Sequence, residues 1–116
     1  MSVVWLDLEQ AKIFHLSDDR MEREQLHASH REHHTHRIEQ EEREPLHMYD
    51  QVAQRLMDSS RVLVLGPGLA KIHLLARLKQ KFPKLAKKVV GCETSDHPTD
   101  HQIAAYAMKY FQKRVG

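Results

Sequence analysis

The 116-residue sequence predicts an α/β domain. A mixed sheet should open with an N-terminal antiparallel hairpin and continue as α-β-α-β-α, its helices packed on the sheet. Three observations carry that expectation. The opening stretch, SVVWLDLEQAKIFHL, is rich in strand formers on either side of a short polar interruption. The continuous apolar run VLVL at 62–65 is followed at once by Gly66-Pro67-Gly68. Amphipathic segments with a helical period lie on both sides of that run.

Taken in order, Asp7-Leu8-Glu9-Gln10 is the polar-centred connection of a β-hairpin. From Ser17 to Glu44 only Met21, Leu26 and Ile38 are large and apolar, too few for a core-facing stripe. That stretch, 17–44, reads as a mobile polar arm of a single domain spanning 1–116, with at most transient helix. Pro45 suits the first position of a helix whose face is Leu46, Tyr49, Val52, Ala53, Leu56 and Met57. Asp58-Ser59-Ser60 ends it, and VLVL supplies a strand covered on both faces. A helix then runs from Leu69 to Phe82 until Pro83 stops it. KKVVGCE is another short strand. Thr99 or Asp100 caps a last helix with an inner face of Ile103, Ala104, Ala107, Tyr110 and Phe111.

Composition narrows the function classes. The single cysteine, Cys92, allows no internal disulfide and fits a reducing compartment. Asp7 and Glu9 stand where a signal peptide would be basic, and no apolar run approaches the roughly 20 residues that cross a bilayer. The expectation is a cytoplasmic protein without a membrane partner. Charge is unevenly distributed. Residues 1–44 hold six Lys/Arg against eleven Asp/Glu, and residues 45–116 hold twelve against five, so a −5 half precedes a +7 half. A basic half suits a polyanionic partner, although a merely dipolar surface would look the same.

Four local patterns suggest chemistry. VLVLGPGLAK is a strand-turn-helix in which Gly66, Gly68 and Lys71 could hold a phosphate ligand or serve a small hydrolase. It is not a P-loop, because Ile72 follows Lys71 where a magnesium-binding hydroxyl is needed. His73, Arg77 and Lys81, continued by Lys84, Lys87 and Lys88, form a cation stripe suited to a phosphate backbone, and a solvated helix face looks similar. Cys92 reads as buried and inert despite His97 and His101 nearby in sequence, and no serine-histidine-acid order stands out. The run HASHREHHTHR (27–37) packs five histidines and two arginines into eleven positions. On a helix His27, His30 and His34 would share a face, so a zinc site using His27, His30, His34 and His36 is one reading. RNA contact through Arg31, His33, His34 and Arg37 is the other, beside a simply solvated arm.

A resemblance bears on that choice. VVWLDLEQAKIFHL, a polar arm, an amphipathic helix, RVLVLGPGLAKIHLLARLKQKF and KVVGCETSD together resemble the central domain of the archaeal and eukaryotic peptide-chain release factors and of Pelota. The small bacterial stand-alone relatives described as translational machinery proteins are more similar still. The likeness covers most of the chain, with the GPG turn and its flanks as its most specific element. It implies a translation factor that meets the ribosome, ribosomal RNA or tRNA. In release factors the loop matching this arm ends in Gly-Gly-Gln, whereas residues 17–65 here contain no glycine. Peptidyl-tRNA hydrolysis is therefore not expected and no catalytic residue is carried over. Pelota-like members lack that tip and still work on ribosomes. The resemblance favours RNA over metal at the arm, and a non-enzymatic factor needing no cofactor over a zinc-binding or metal-sensing protein.

Overall fold

Val3, Val4, Trp5 and Leu6 are all buried, and successive side chains of a strand face opposite ways, so this strand must lie inside a sheet covered on both sides. The computed structural model, which describes residues 1–28 and 44–115, places it there. Among those residues the elements run β1 (Ser2–Leu6), β2 (Gln10–Leu16), β3 (Met21–His27), α1 (Leu46–Leu56), β4 (Val62–Gly66), α2 (Ala70–Lys81), α3 (Pro83–Ala86), β5 (Val89–Thr94) and α4 (Asp100–Val115). The strand order is β3-β2-β1-β4-β5. β1, β2 and β3 are antiparallel neighbours, whereas β4 pairs parallel with both β1 and β5. The expected mixed α/β sheet is the observed one.

The hairpin forms where the polar interruption placed it. Asp7 Oδ1 accepts hydrogen bonds from the Glu9 and Gln10 amides at 2.8 and 2.9 Å, which fixes the turn. Val4, Leu6, Ala11, Ile13, Val62 and Val64 pack on one face of the sheet against α1 and α2. Val3, Trp5, Phe14, Leu63 and Leu65 pack on the other against Ile103, Ala107, Tyr110 and Phe111 of α4. One helix closes that second face, and its start is well fastened. Thr99 and Gln102 form a reciprocal capping box, with contacts of 2.9 and 3.1 Å. Asp100 is held by Lys12 at 3.3 Å and Arg23 at 2.6 Å, and the Trp5 indole donates to the Asp96 carbonyl at 2.9 Å.

Two expectations need correction. The arm expected over 17–44 is not an arm throughout, because Met21–His27 is a strand paired along its whole length with β2. An edge strand needs backbone partners on one side and little burial: Leu26 alone of its large apolar side chains packs against the core. Counting apolar residues therefore could not reveal it. Its charged residues are the usual protection of an exposed sheet edge. The remainder, 29–43, lies outside the described residues. The second correction concerns Pro83, which begins the short helix α3 as well as ending α2. The break falls at Phe82, and proline suits a first helical position.

The glycines of the GPG turn differ in role. No described residue has a positive φ, so neither is needed for a left-handed backbone. A Cβ on Gly66 would overlap the Leu6 carbonyl oxygen across the β1–β4 pair, whereas one on Gly68 would meet nothing within 4 Å. Gly66→Ala should therefore destabilise the fold by roughly 1–3 kcal/mol. Gly68→Ala should stay within about 0.5 kcal/mol of the parent. Paired urea melts would check both.

Candidate nucleic-acid interface

The cation stripe divides into two halves with different chemistry. α2 descends antiparallel to β4, so its first turn lies beside the Gly66 end of the sheet and its last turn beside the start of β5. In the upper half Arg77 is committed to the fold. Arg77 grips Asp50 of α1 with two parallel bonds, Nε to Oδ1 at 2.8 Å and a terminal nitrogen to Oδ2 at 2.9 Å. This bidentate pair, three-quarters or more buried on both sides, joins α2 to α1. The Arg77 guanidinium holds the Asp50 carboxyl below its ordinary range, and Asp50 in turn raises the Arg77 pKa. His73 Nδ1 lies 2.5 Å from Glu44 Oε2 but is buried and makes no hydrogen bond of ordinary geometry, so that contact is one of proximity.

The lower half is different. Lys81, Lys84 and Lys87 are exposed, and among the described residues none has a carboxylate within ion-pair distance. Lys79, which the sequence reading passed over, shares both properties. Lys88 donates to the Met57 carbonyl at 3.1 Å through an exposed bond that water can replace. Lysines at a helix C-terminus also complement the helix dipole, so Lys79 and Lys81 have a local reason to be there.

At the other end, Gly66, Gly68 and Lys71 meet at one turn. Lys71 is only 7% exposed, and its ammonium is folded back onto the Gly68 carbonyl at 2.5 Å. The Gly66 carbonyl is taken by the Ser95 amide at 2.9 Å. Cys92 is half-buried against the α1/α2 core, and burial pushes its thiol pKa up, away from a reactive thiolate. His27 ends β3 opposite Gln10, in a strand, so the helical face imagined for His27, His30 and His34 does not begin at His27. His30, Arg31, His33, His34, His36 and Arg37 lie outside the described residues. Among the described residues no group of three His, Cys, Asp or Glu converges as metal ligands would.

The structure also assembles a serine-histidine-acid chain that sequence order conceals. Ser59 Oγ lies 2.6 Å from Ser2 Oγ, Ser2 Oγ lies 3.0 Å from His15 Nδ1, and His15 Nε2 lies 2.7 Å from Glu24 Oε2. Arg55 secures Glu24 at 3.0 Å. With a neutral imidazole, the carboxylate keeps the proton on Nε2, leaving Nδ1 to accept from Ser2. These groups line a cleft of about 550 Å³ at the lower end of the sheet. Its chemistry is that of a clamp. Ser2 and Ser59 are 1% and 7% exposed, too enclosed for attack on a substrate. The amides of Ser2, Leu16, Ser17 and Ser59 are all spent on backbone carbonyls, which leaves none of these four to stabilise an oxyanion. The chain joins β1, β2 and β3 to α1 and its exit. Its members sit in five separate segments, so only pairing register could have revealed it.

No protein-family model matches the chain, and no curated protein matches it. Solved structures do. The fold is similar to part of Archaeoglobus fulgidus Pelota, with a TM-score of 0.66 and 19% identity over 93% of this chain and 30% of that one. Thermoplasma acidophilum Pelota gives 0.64 and 19% over 89% of this chain and 30% of that one. The archaeal translation termination factor aRF1 gives 0.65 and 16% over 98% and 40%. At these identities the likeness is one of fold, and this chain spans less than half the length of each. The resemblance noted in the sequence thus extends to architecture: this is a Pelota- and release-factor-like domain fold. No helix among the described residues is long and apolar enough to cross a membrane.

Arg77→Gln should cost roughly 1–3 kcal/mol, since Asp50 loses a charged partner. A carboxyl whose folded pKa lies below its unfolded value stabilises above the unfolded value, and that contribution is lost as pH falls through the folded one. The stability difference between wild type and Asp50→Asn should therefore be constant above about pH 5 and shrink below the ordinary value of 3.8, as read from denaturant melts. His15→Ala should cost about 1–3 kcal/mol by removing one hydrogen bond each from Ser2 and Glu24, which keep Ser59 and Arg55, a loss visible by calorimetry.

Proposed function

We propose that this protein is a non-enzymatic, ribosome- or RNA-associated translation factor without peptidyl-tRNA hydrolase activity. The observation that carries the reading is the lower end of α2 and α3, where Lys81, Lys84 and Lys87 stand exposed with no carboxylate partner among the described residues. They stand on a fold similar to parts of Pelota and of a translation termination factor. Exposed, unpaired lysines track phosphates by charge, without reading bases. Arg77 and His73 belong to the helix packing in this account, and the phosphate-binding group contracts to the three lysines with Lys79 and Lys88 beside them. Arg31, His33, His34 and Arg37 would add position-specific contact. The absence of a glycine-containing tip in 17–65 supports the lack of hydrolase activity.

Co-sedimentation with ribosomes across a salt series tests the reading. Each phosphate met on a single strand adds about −0.7 to the log–log slope of affinity against salt, so Lys81→Gln, Lys84→Gln and Lys87→Gln together should flatten it by about 2. Arg77→Gln should lower stability and leave the slope nearly unchanged. Wild-type protein that stays at the top of the gradient at low salt would end the proposal. One tight equivalent of zinc in a titration would turn it toward the histidine run instead.

A further inference from the structure

Three residue choices at the upper end of the sheet have no explanation inside the fold. Leu69, just before α2, is 67% exposed, the largest value among the described large apolar side chains. Leu8, in the β1–β2 connection, is 44% exposed. Gly68 has neither a positive φ nor any neighbour that a Cβ would strike. Close packing against Leu6 demands glycine at 66 and leaves 68 unexplained. All three line one hollow of about 300 Å³, together with Pro67, Asp7 and Glu9. A side chain at 68 would have open space to fill, so glycine there keeps the hollow open.

We infer that this hollow is a docking site for a protein segment that inserts one bulky apolar side chain and carries lysine or arginine beside it. The leucines and Pro67 supply apolar walls, and exposed leucines around a concavity mark recognition more often than scattered ones do. Asp7 and Glu9 set the charge of the partner. Among the described residues neither has a cation within ion-pair distance, and Lys71 on the adjoining turn is buried with its ammonium on the Gly68 carbonyl. Two carboxylates without an ion-pair partner among the described residues repel phosphate, so a nucleic acid is disfavoured here and a basic peptide favoured. The walls are also held in place. Asp7 fixes its turn through two amides, and Gly66 seats the second turn against Leu6. Little ordering is then left to oppose binding.

The test uses the whole chain with labelled leucine methyls and two synthetic dodecapeptides. Both contain a central Leu-Phe pair, flanked in one by arginine and lysine and in the other by glutamate. The cationic peptide should shift the Leu8 and Leu69 methyls saturably and bind at least about ten-fold tighter than the acidic one, the scale of a single close charge pair. Gly68→Leu and Leu69→Asp should each abolish the shift while melting like the wild type, and Glu9→Lys should erase the charge preference. Absence of a saturable shift, equal binding of the two peptides, or full binding by Gly68→Leu would overturn the inference. So would methyl shifts that follow protein concentration alone, which would make a second copy the occupant, or displacement of the peptide by an RNA oligonucleotide. None of these outcomes depends on the lysines of α2 and α3, so this inference and the RNA reading stand or fall separately.

Discussion

The parallel contact between β1 and β4 governs the rest of the molecule. Both strands are buried from end to end and carry apolar side chains on both faces, so neither face can be left to water. A strand pair of this kind requires cover above and below, and the order of the elements supplies it: α1 and α2 on one side, α4 on the other. The pairing is also intimate at its end, where Gly66 brings its backbone onto the Leu6 carbonyl. Once that closeness is set, the two upper connections, 7–9 and 67–69, are forced to stand beside each other. Helix placement and the geometry of the upper surface thus follow from one backbone contact.

That constraint explains what could be read in the sequence. VLVL and SVVWL are continuous apolar runs, and burial on both faces is what such runs mean. The amphipathic faces of α1 and α4 were largely legible because each packs one stripe on the sheet: Tyr49, Val52, Ala53 and Leu56 in the first, Ile103, Ala107, Tyr110 and Phe111 in the second, although Leu46 and Met57, expected on the first stripe, are exposed and Met48 is buried in it. β3 was illegible for the same physical reason in reverse. Its stability comes from backbone pairing with β2 and from salt bridges such as Arg23 to Asp100, neither of which leaves an apolar signature. The site was less legible than the fold. Spacing placed His73, Arg77 and Lys81 on one helix, but only tertiary structure could say that Asp50, thirty-one residues before Lys81, neutralises Arg77.

Charge is partitioned along α2. Upper cations serve structure, as Arg77 does in tying α2 to α1 and Lys71 does in closing its own turn. Of the lower lysines, Lys79 and Lys81 complement the helix dipole and Lys88 reaches the Met57 carbonyl, and none has an ion-pair partner among the described residues. Twelve residues of helix separate the two ends, about 18 Å, roughly two Debye lengths at physiological salt. An acidic, apolar upper end and a basic lower end therefore act almost independently on what approaches them. A single domain can in this way present two surfaces of opposite preference without one cancelling the other.

The β1–β4 contact has a consequence for synthesis. Sixty residues separate Ser2 from its partner Val62, so the first three strands emerge as a meander whose apolar first strand, β1, waits for its second neighbour. Within that wait the chain is fastened at two further points: the Ala28 amide donates to the Glu9 carbonyl at 2.9 Å, and the Tyr49 hydroxyl donates to Glu44 at 2.8 Å. Joining β1 to β4 closes that long loop, at an entropy cost that grows only with the logarithm of its length, about 0.6 kcal/mol per doubling. The strand pair that governs the fold therefore cannot form until β4 has followed β1, β2, β3 and α1 in synthesis.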